Sequence, residues 1–465
     1  MSPLSFSLPA PDRSLIEGIA WPALPSVEAM NLLALVYMLD RTQWWPAERL
    51  REYQFRQLEI LLAHAAETVP YYRERLSGAG YGRGKQRLTP ERWRKLPLLT
   101  RNAIQQYGRL GLLASERLPS GHGRLAENIT SGSTGTPVMT KQTELTQLLF
   151  RAMSVREARG HRRDLSGKFA AIRRDVYSET VTADGTRFPD WGQPFAAVYP
   201  TGPAVFLDVF LDTSDQVSWL VRERPDYLMT FPSNLHAILL YAQRHGIALP
   251  PLKAALSVGE VVTQELRALC RAVWDVAIED IYSTQELGSV AFQCHDHEHY
   301  HVQSETVLVE VIDEAGQPCR PGEVGQVVLT PLHNFAMPLL RYAIGDYAEV
   351  GEPCPCGRGL PVLRRILGRT RNMVTLPGKE RRFSMLPGAV FARIPAIVQH
   401  QVVQKSLEEI EVCLVTRKPL LASEERTIQE EIIEQLKHPF RIRFSYHTEI
   451  PRSPEGKYED FRSEL

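Results

Sequence analysis

Two stretches of this chain hold residue types that do chemistry at spacings that let them act together. The first is Thr130-Ser131-Gly132-Ser133-Thr134-Gly135-Thr136-Pro137. Its two glycines free the backbone to curl and its hydroxyls supply donors, the make-up of a loop that cradles phosphate oxygens. No Gly-Lys-Ser/Thr follows, and Val138 to Lys141 read as extended rather than helical, which argues against a P-loop kinase or NTPase. Taken alone, the same residues would serve equally well as a flexible turn. The second stretch is Cys294-His295-Asp296-His297-Glu298-His299-Tyr300-His301, followed at a distance by Cys354-Pro355-Cys356. Tetrahedral zinc accepts thiolate and imidazole, and two cysteines one residue apart on a Pro/Gly-containing turn can bind one ion together. The alternative is a solvated histidine-rich loop beside reduced thiols. Spacing does not choose among His297, His299 and His301.

Further motifs stand in a fixed order after the first stretch: Tyr282-Ser283-Thr284-Gln285-Glu286, Arg341-Tyr342-Ala343-Ile344-Gly345-Asp346, Gly368-Arg369 and Gly456-Lys457. The ordered set resembles the adenylate-forming acyl ligases. Val69-Pro70-Tyr71-Tyr72-Arg73, Cys354-Pro355-Cys356-Gly357-Arg358 and Arg452-Ser453-Pro454-Glu455-Gly456-Lys457 narrow the resemblance to the phenylacetate-CoA ligase branch, with its relatives in capsule biosynthesis. It covers nearly the whole chain.

The resemblance implies an ATP-dependent carboxylate ligase. The carboxylate attacks the α-phosphorus of ATP, pyrophosphate leaves, and a thiol, by default that of CoA, captures the acyl group from acyl-AMP. Ser131, Gly132, Ser133, Thr134 and Gly135 would wrap the β- and γ-phosphates, and Glu286 would be linked to Mg²⁺, which offsets their charge. Gly259, Glu260, Tyr282, Ser283 and Thr284 fall where the family binds nucleotide, Tyr282 offering an aromatic face to adenine. Asp346 would accept the ribose hydroxyls and Arg369 would reach ribose or phosphate. Lys457 would place an ammonium against the α-phosphate during adenylation and leave when a small domain rotates. Cys294, His301, Cys354 and Cys356 match a cysteine/histidine set of the branch and, as four ligands with no open position, imply structural zinc. Two positions depart from the superfamily pattern: Arg371 stands at the hinge, where aspartate or lysine is usual, and Thr136 replaces a common lysine of the phosphate loop. An adenylating enzyme that hands the acyl group to an amine, hydroxyl or carrier-protein thiol fits the same motifs. A non-catalytic nucleotide-binding scaffold fits them less well, because Lys457 and Glu286 are both in place.

These residues need a scaffold, and the apolar pattern describes one. Leu58, Leu61, Leu62, Ala65 and Val69 recur at helical spacing until Pro70, so the first ~120 residues read as mainly helical. Around residues 125–153 the pattern predicts strand, loop, strand and helix. Tyr227 to Phe231, Leu235 to His245 and Ala254 to Val258 alternate strand-like and helical runs. Val307 to Ile312 and Val324 to Leu329 read as a β-meander, and Ile410 to Val415 with Ile428, Ile432, Ile433 and Leu436 as a terminal α+β unit. The expectation is an α/β fold, a large domain with mixed sheets over 1–368 and a small α+β domain over 373–465, between which the resemblance implies a hinge at 369–372 and motion of the small domain. By the same resemblance, Trp191, Tyr199, Phe231 and Ser257-Val258-Gly259-Glu260 lie in the stretch where relatives build the pocket for the acid and the adenine ring, with core packing the alternative for each aromatic.

Composition excludes other classes. With 465 residues the chain has room for about three domains. Its 54 Lys plus Arg balance 54 Asp plus Glu, so no global field draws nucleic acid or an anionic membrane. Six cysteines are too few for a disulfide scaffold. The start of the chain lacks a basic n-region, and the apolar run Leu32 to Leu39 is far shorter than the ~20 residues of a membrane span. The reading is a cytoplasmic protein without a membrane span, compatible with a homodimer, whose run at Leu32 covers its own core.

Overall fold

The computed structural model describes residues 14, 16–77, 81, 87–129, 138–174, 181–369, 372–378, 381–383, 390–391, 393–453, 456–458 and 460–465. The loop 130–137 and Arg371 lie outside the described residues.

Helix Val27–Thr42 starts where Ser26 Oγ accepts from the Ala29 amide at 3.2 Å, an N-cap that satisfies one orphan donor. Leu32, Val36 and Leu39 pack against Ala152, Met153 and Val155 of helix Glu144–Gly160, so the apolar run covers the protein's own core as expected. Helix Ala47–Thr68 buries Leu58, Leu61, Leu62 and Ala65 in the main cluster. Pro70 ends that helix and opens the next, Pro70–Ser77, a position where its missing N–H costs nothing. Among the described residues no helix is long and apolar enough to cross a membrane.

The centre is one 13-stranded mixed sheet. Phe169–Arg173, Ala204–Asp208, Tyr227–Thr230, Ala254–Val258 and Ile278–Thr284 run parallel, joined through helices such as Thr213–Glu223, Pro232–His245 and Gln264–Trp274. Phe169–Arg173 is flanked by Ala204–Asp208 on one side and Tyr227–Thr230 on the other, so the order of connection reverses there. Beyond Ile278–Thr284 the sheet turns antiparallel, with the meander Val307–Ile312, Val324–Pro331, Tyr342–Val350 and Val362–Arg369 at its far side. Leu125–Ile129 and Met139–Thr143 pair antiparallel in a separate two-stranded sheet.

The smaller C-terminal domain has its own sheet, in the order Arg441–Tyr446, Glu409–Thr416, Ile397–Gln404 and Phe461–Ser463, covered by helix Ala422–Leu436. Ile428, Ile432 and Leu436 face Ile410, Val412 and Leu414 in a cluster that shares no member with the large domain's clusters. Two cores mean two bodies whose mutual position is set by surface contacts rather than by interior packing.

Candidate active site

The parallel strands all end on one edge of the sheet, and that edge at the point of reversal is where α/β sheets leave a crevice for ligands. Arg173, Asp208, Phe231, Gly259, Glu260 and Glu286 stand at or just beyond these ends. The Arg173 guanidinium lies 5.7 Å from the centroid of the Phe231 ring. Two expected pocket residues are elsewhere. Trp191 packs on Tyr227 and Ala254 at the opposite ends of the strands and donates its indole N–H to Gly167 O at 2.8 Å. Tyr199 lies in the cluster under helix Val27–Thr42. Both are core residues, since a large ring finds most of its stabilisation by burial.

A rigid wall borders the crevice. Asp346 and Arg369 face each other in register on adjacent antiparallel strands, each preceded by a glycine with φ near +90°, Gly345 and Gly368. Arg369 Nε lies 3.3 Å from Asp346 Oδ1, and the Tyr282 hydroxyl donates to Asp346 Oδ2 at 2.7 Å. Burial, then the Asp346 charge, pushes the Tyr282 phenol well above its ordinary pKa, so it remains a donor. Its ring is packed in the main cluster and only 9% exposed. The expected open stacking face is therefore mostly covered, and what Tyr282 supplies is orientation of the carboxylate. Each Asp346 oxygen already has one partner and retains acceptor capacity for a diol.

Glu286 sits in the short turn between Ile278–Thr284 and Gly288–Gln293, where Thr284 Oγ1 accepts from the Leu287 amide at 3.0 Å. Ser283 pairs across this hairpin with Ser289, and Thr284 with Gly288. Gly288 has φ +83°, and a Cβ there would lie 2.4 Å from the Phe150 ring, so the turn needs glycine. The buried Glu286 carboxylate is 3.2 Å from Arg101 Nη1, at the first residue of helix Arg101–Arg109. Arg101 had no motif to announce it.

Lys457 reaches the strand ends from the small domain. A Cβ at Gly259 would lie 3.1 Å from Lys457 Cε and Nζ, so the lysine lies directly over that glycine. Gly456 has φ +86°, and a Cβ there would lie 2.3 Å from Val209 Cγ1; the Gly-Lys pair is thus a steric requirement of this docking. The Asp346/Arg369 wall is close by, for a Cβ at Gly368 would meet Val261 Cγ2 at 3.3 Å, two residues beyond Gly259. Glu260, expected at nucleotide, instead accepts from Ser233 N and Tyr458 N, at 2.9 and 2.8 Å.

The cysteine/histidine stretches converge. The ligand atoms of Cys294, His299, His301 and Cys354 lie within 4.8 Å of one another. Strand alternation explains the pair of histidines: His299 and His301 share one face, while Tyr300 points to the other and donates to Asp280 at 2.6 Å. Cys356 Sγ stands 3.5 Å from His301 Nε2 and accepts from Arg358 Nη1 at 3.4 Å. The mutually close set thus contains His299 where the sequence led us to expect Cys356, because the turn lets the Cys356 amide donate to Cys354 Sγ and directs its own thiol toward Arg358. His297 stacks on the His299 ring and is outside the set. Burial, with Arg358 and His299 nearby, holds His301 down at about 3, so its imidazole is neutral. His299 Nε2 and His301 Nδ1 are buried without a hydrogen-bond partner.

Residues 386–463 match the family model described as the CapK C-terminal domain. Phenylacetate-coenzyme A ligase of Thermus thermophilus is 26% identical over 408 residues, covering 84% of this chain and 86% of that one. A 2-hydroxyisobutyryl-CoA ligase in the postadenylation state superimposes with a TM-score of 0.71 at 17% identity, covering 91% of this chain and 92% of that one. The chain has the adenylate-forming ligase fold and is phenylacetate-CoA ligase-like. The same 2-hydroxyisobutyryl-CoA ligase in its thioesterification state superimposes less well on this phenylacetate-CoA ligase-like chain, with a TM-score of 0.59 at 17% identity and 91% coverage of both chains.

Proposed function

We propose that this protein is an AMP-forming acid–thiol ligase. A carboxylate oxygen attacks the α-phosphorus of ATP, the bond to the β-phosphate oxygen breaks, and acyl-AMP and pyrophosphate form. A thiol sulfur, by default that of CoA, then attacks the acyl carbon; the thiol proton is released and AMP leaves. The observation that carries this reading is the delivery of Lys457 over Gly259, at the edge where the Asp346/Arg369 wall and Glu286 stand. An ammonium fixed there stabilises charge that develops at the α-phosphate, which is worth most when the donor is preorganised. Asp346 would hold the ribose hydroxyls, with Tyr282 and Arg369 fixing its orientation. Residues 131–135 would wrap the terminal phosphates.

Glu286 fits Mg²⁺, because this ion is commonly bound through one or two carboxylates plus substrate phosphates, and Arg101 holds the carboxylate in a single orientation. When bound, Mg²⁺ would offset phosphate charge. The cysteine/histidine cluster fits zinc by its soft and borderline donors, its neutral imidazoles and its two buried unpartnered ring nitrogens. Cys294, Cys354 and His301 with either His299 or Cys356 would hold it, tying the strand after Glu286 to the turn between the Asp346 and Arg369 strands. Its role would be structural. The six free cysteines accord with a reducing, cytoplasmic setting.

The test is acid-dependent pyrophosphate release from ATP and Mg²⁺ across a broad panel of carboxylic acids, followed by AMP release on adding CoA. Release with at least one acid, and AMP release that needs CoA, are the expected results. No release with any acid would overturn the reading, and AMP release without CoA would redirect it to another acceptor.

A further inference from the structure

The lysine-bearing loop closes on itself: Ser453 N donates to Lys457 O at 2.8 Å, and Lys457 N to Ser453 Oγ at 3.2 Å. These bonds shape the loop but say nothing about where it rests on the large domain. That position is set by bonds to the peptide groups on either side of Lys457. On one side, Arg452 Nη1 donates to Gly456 O at 3.0 Å and also reaches Ser233 Oγ at 3.4 Å, while its Nη2 lies 3.5 Å from Asn234 Oδ1. On the other, Tyr458 N donates to Glu260 Oε1 at 2.8 Å. Ser233 Oγ donates to the same Oε1 at 3.1 Å, which joins the two grips into one chain of bonds across the domain boundary.

Resting on the ligase reading above, we propose that Gly259 and Glu260 form the docking socket for the lysine-bearing loop, with Glu260 a positioning residue for adenylation rather than a nucleotide contact. Gly259 contributes by what it lacks, since any Cβ would occupy the path of the lysine stem. Glu260 has a second, static duty. The helix Pro232–His245 begins at Phe231 without a side-chain cap, and Glu260 Oε2 accepts from the Ser233 amide in its first turn at 2.9 Å. Oε2 thus caps a helix of the large domain, while Oε1 takes the Tyr458 amide of the small domain alongside Ser233 Oγ. A few charge-assisted or polar bonds of this kind bias docking without making it permanent, as a domain that must later rotate requires. The better superposition on a postadenylation than on a thioesterification arrangement agrees with a loop docked for adenylation.

The experiment uses the full chain and two variants, Glu260→Ala and Arg452→Ala, the second leaving the helix cap untouched. Amide hydrogen exchange of the peptide spanning residues 456–460 is measured without ligand. Loss of a bond to a carboxylate should speed exchange there by roughly ten- to a hundredfold in Glu260→Ala, and Arg452→Ala should speed it too. For an acid found in the panel, pyrophosphate release should fall at least about tenfold in both variants while consumption of the preformed acyl-AMP with CoA holds. Unchanged exchange at 456–460 in both variants overturns the socket, whatever the activities. Equal losses in the two half-reactions overturn Glu260 as a positioning residue for adenylation. Faster exchange in a protein that releases pyrophosphate with no acid leaves the socket standing and removes the ligase reading.

Discussion

The Asp346/Arg369 wall and the Lys457 loop border the same crevice but are held by different physics. Asp346 and Arg369 are neighbours because two long strands pair in register, and the surrounding strands bury Tyr342, Ala348 and Leu363 in the main cluster. Moving one relative to the other would break a sheet. Lys457 belongs to a body with a separate core, and its place depends on the Glu260 and Arg452 contacts and on two glycines that clear the way. A wall fixed by register serves every step alike, whereas a docked loop serves only the step for which it is docked.

The sharpest break in that comparison is Lys457→Ala. Removing one preorganised donor of charge typically costs about 10² to 10³ in rate. The loss should fall on acid-dependent pyrophosphate release and spare thiol capture of preformed acyl-AMP, because the ammonium has value only while charge builds on the α-phosphate. Measuring both halves on one protein preparation decides it; equal losses would place Lys457 with the wall. Asp346→Ala is the counterpart. Losing a charged acceptor should weaken ATP binding by about 1.5 to 3 kcal/mol, read by calorimetric titration, and should impair both halves because both bind the ribose. A loss confined to one half would mean the wall is not shared.

Metal removal probes what keeps the wall rigid. Strand Tyr300–Val302 pairs with both Gly288–Gln293 and Val362–Arg369, and the cysteine/histidine cluster lies at that junction. Metal analysis should find about one zinc per chain, and chelation should lower the melting temperature by several degrees before it alters the lysine-dependent step, since closed zinc sites contribute directly to folding. His299→Ala and Cys356→Ser name the fourth ligand: only one should abolish zinc retention. Zinc-free protein with melting indifferent to chelator would reduce the cluster to buried thiols and imidazoles.

Asp346 and Arg369 stand out in the sequence only through the resemblance their motifs carry, and it is the strand pairing that sets them opposite each other. The strand, helix and meander pattern was legible directly: Val307–Ile312 and Ile428, Ile432 and Leu436 carry their period openly. The contacts that decide docking were not. The resemblance sets Glu260 in the nucleotide-binding stretch, and only the fold brings Tyr458, 198 residues later, to its carboxylate. Arg101 reaches Glu286 across 185 residues with no local pattern to mark it. Trp191 and Tyr199 stay open between pocket and core in the sequence for the converse reason, since an aromatic between two motifs carries no sign of which end of a strand it will cover.

Acidity offers the mildest perturbation, and it separates loop from wall because its titrating groups lie at the docked face. Helix Pro232–His245 of the large domain turns His236 and Arg244 toward the small domain, which presents His400, Asp460, Arg417 and Tyr458. Burial holds His400 down at about 4, Asp460 opposing and His236 adding to the effect; burial also lowers His236, with Asp460 again opposing and Arg244 adding. Tyr458 is raised by burial and stays neutral, while burial also raises the Glu260 carboxyl that grips the loop, so the histidines and Glu260 act in opposite senses as pH falls. A histidine whose pKa is depressed when docked binds fewer protons there than in water. Its stabilising share is therefore complete above its solvent value near 6.5 and is lost as pH falls from there toward about 4. Docking should weaken by about a few-fold between pH 7 and pH 5.5, seen as faster exchange at 456–460 once the intrinsic pH dependence of exchange is divided out. In His236→Gln the decline should be smaller, and ATP affinity at the Asp346 wall should change little over the same range. Docking that tightens on acidification would mean that proton uptake by Glu260, whose carboxyl burial raises, outweighs the cost of burying charged histidines.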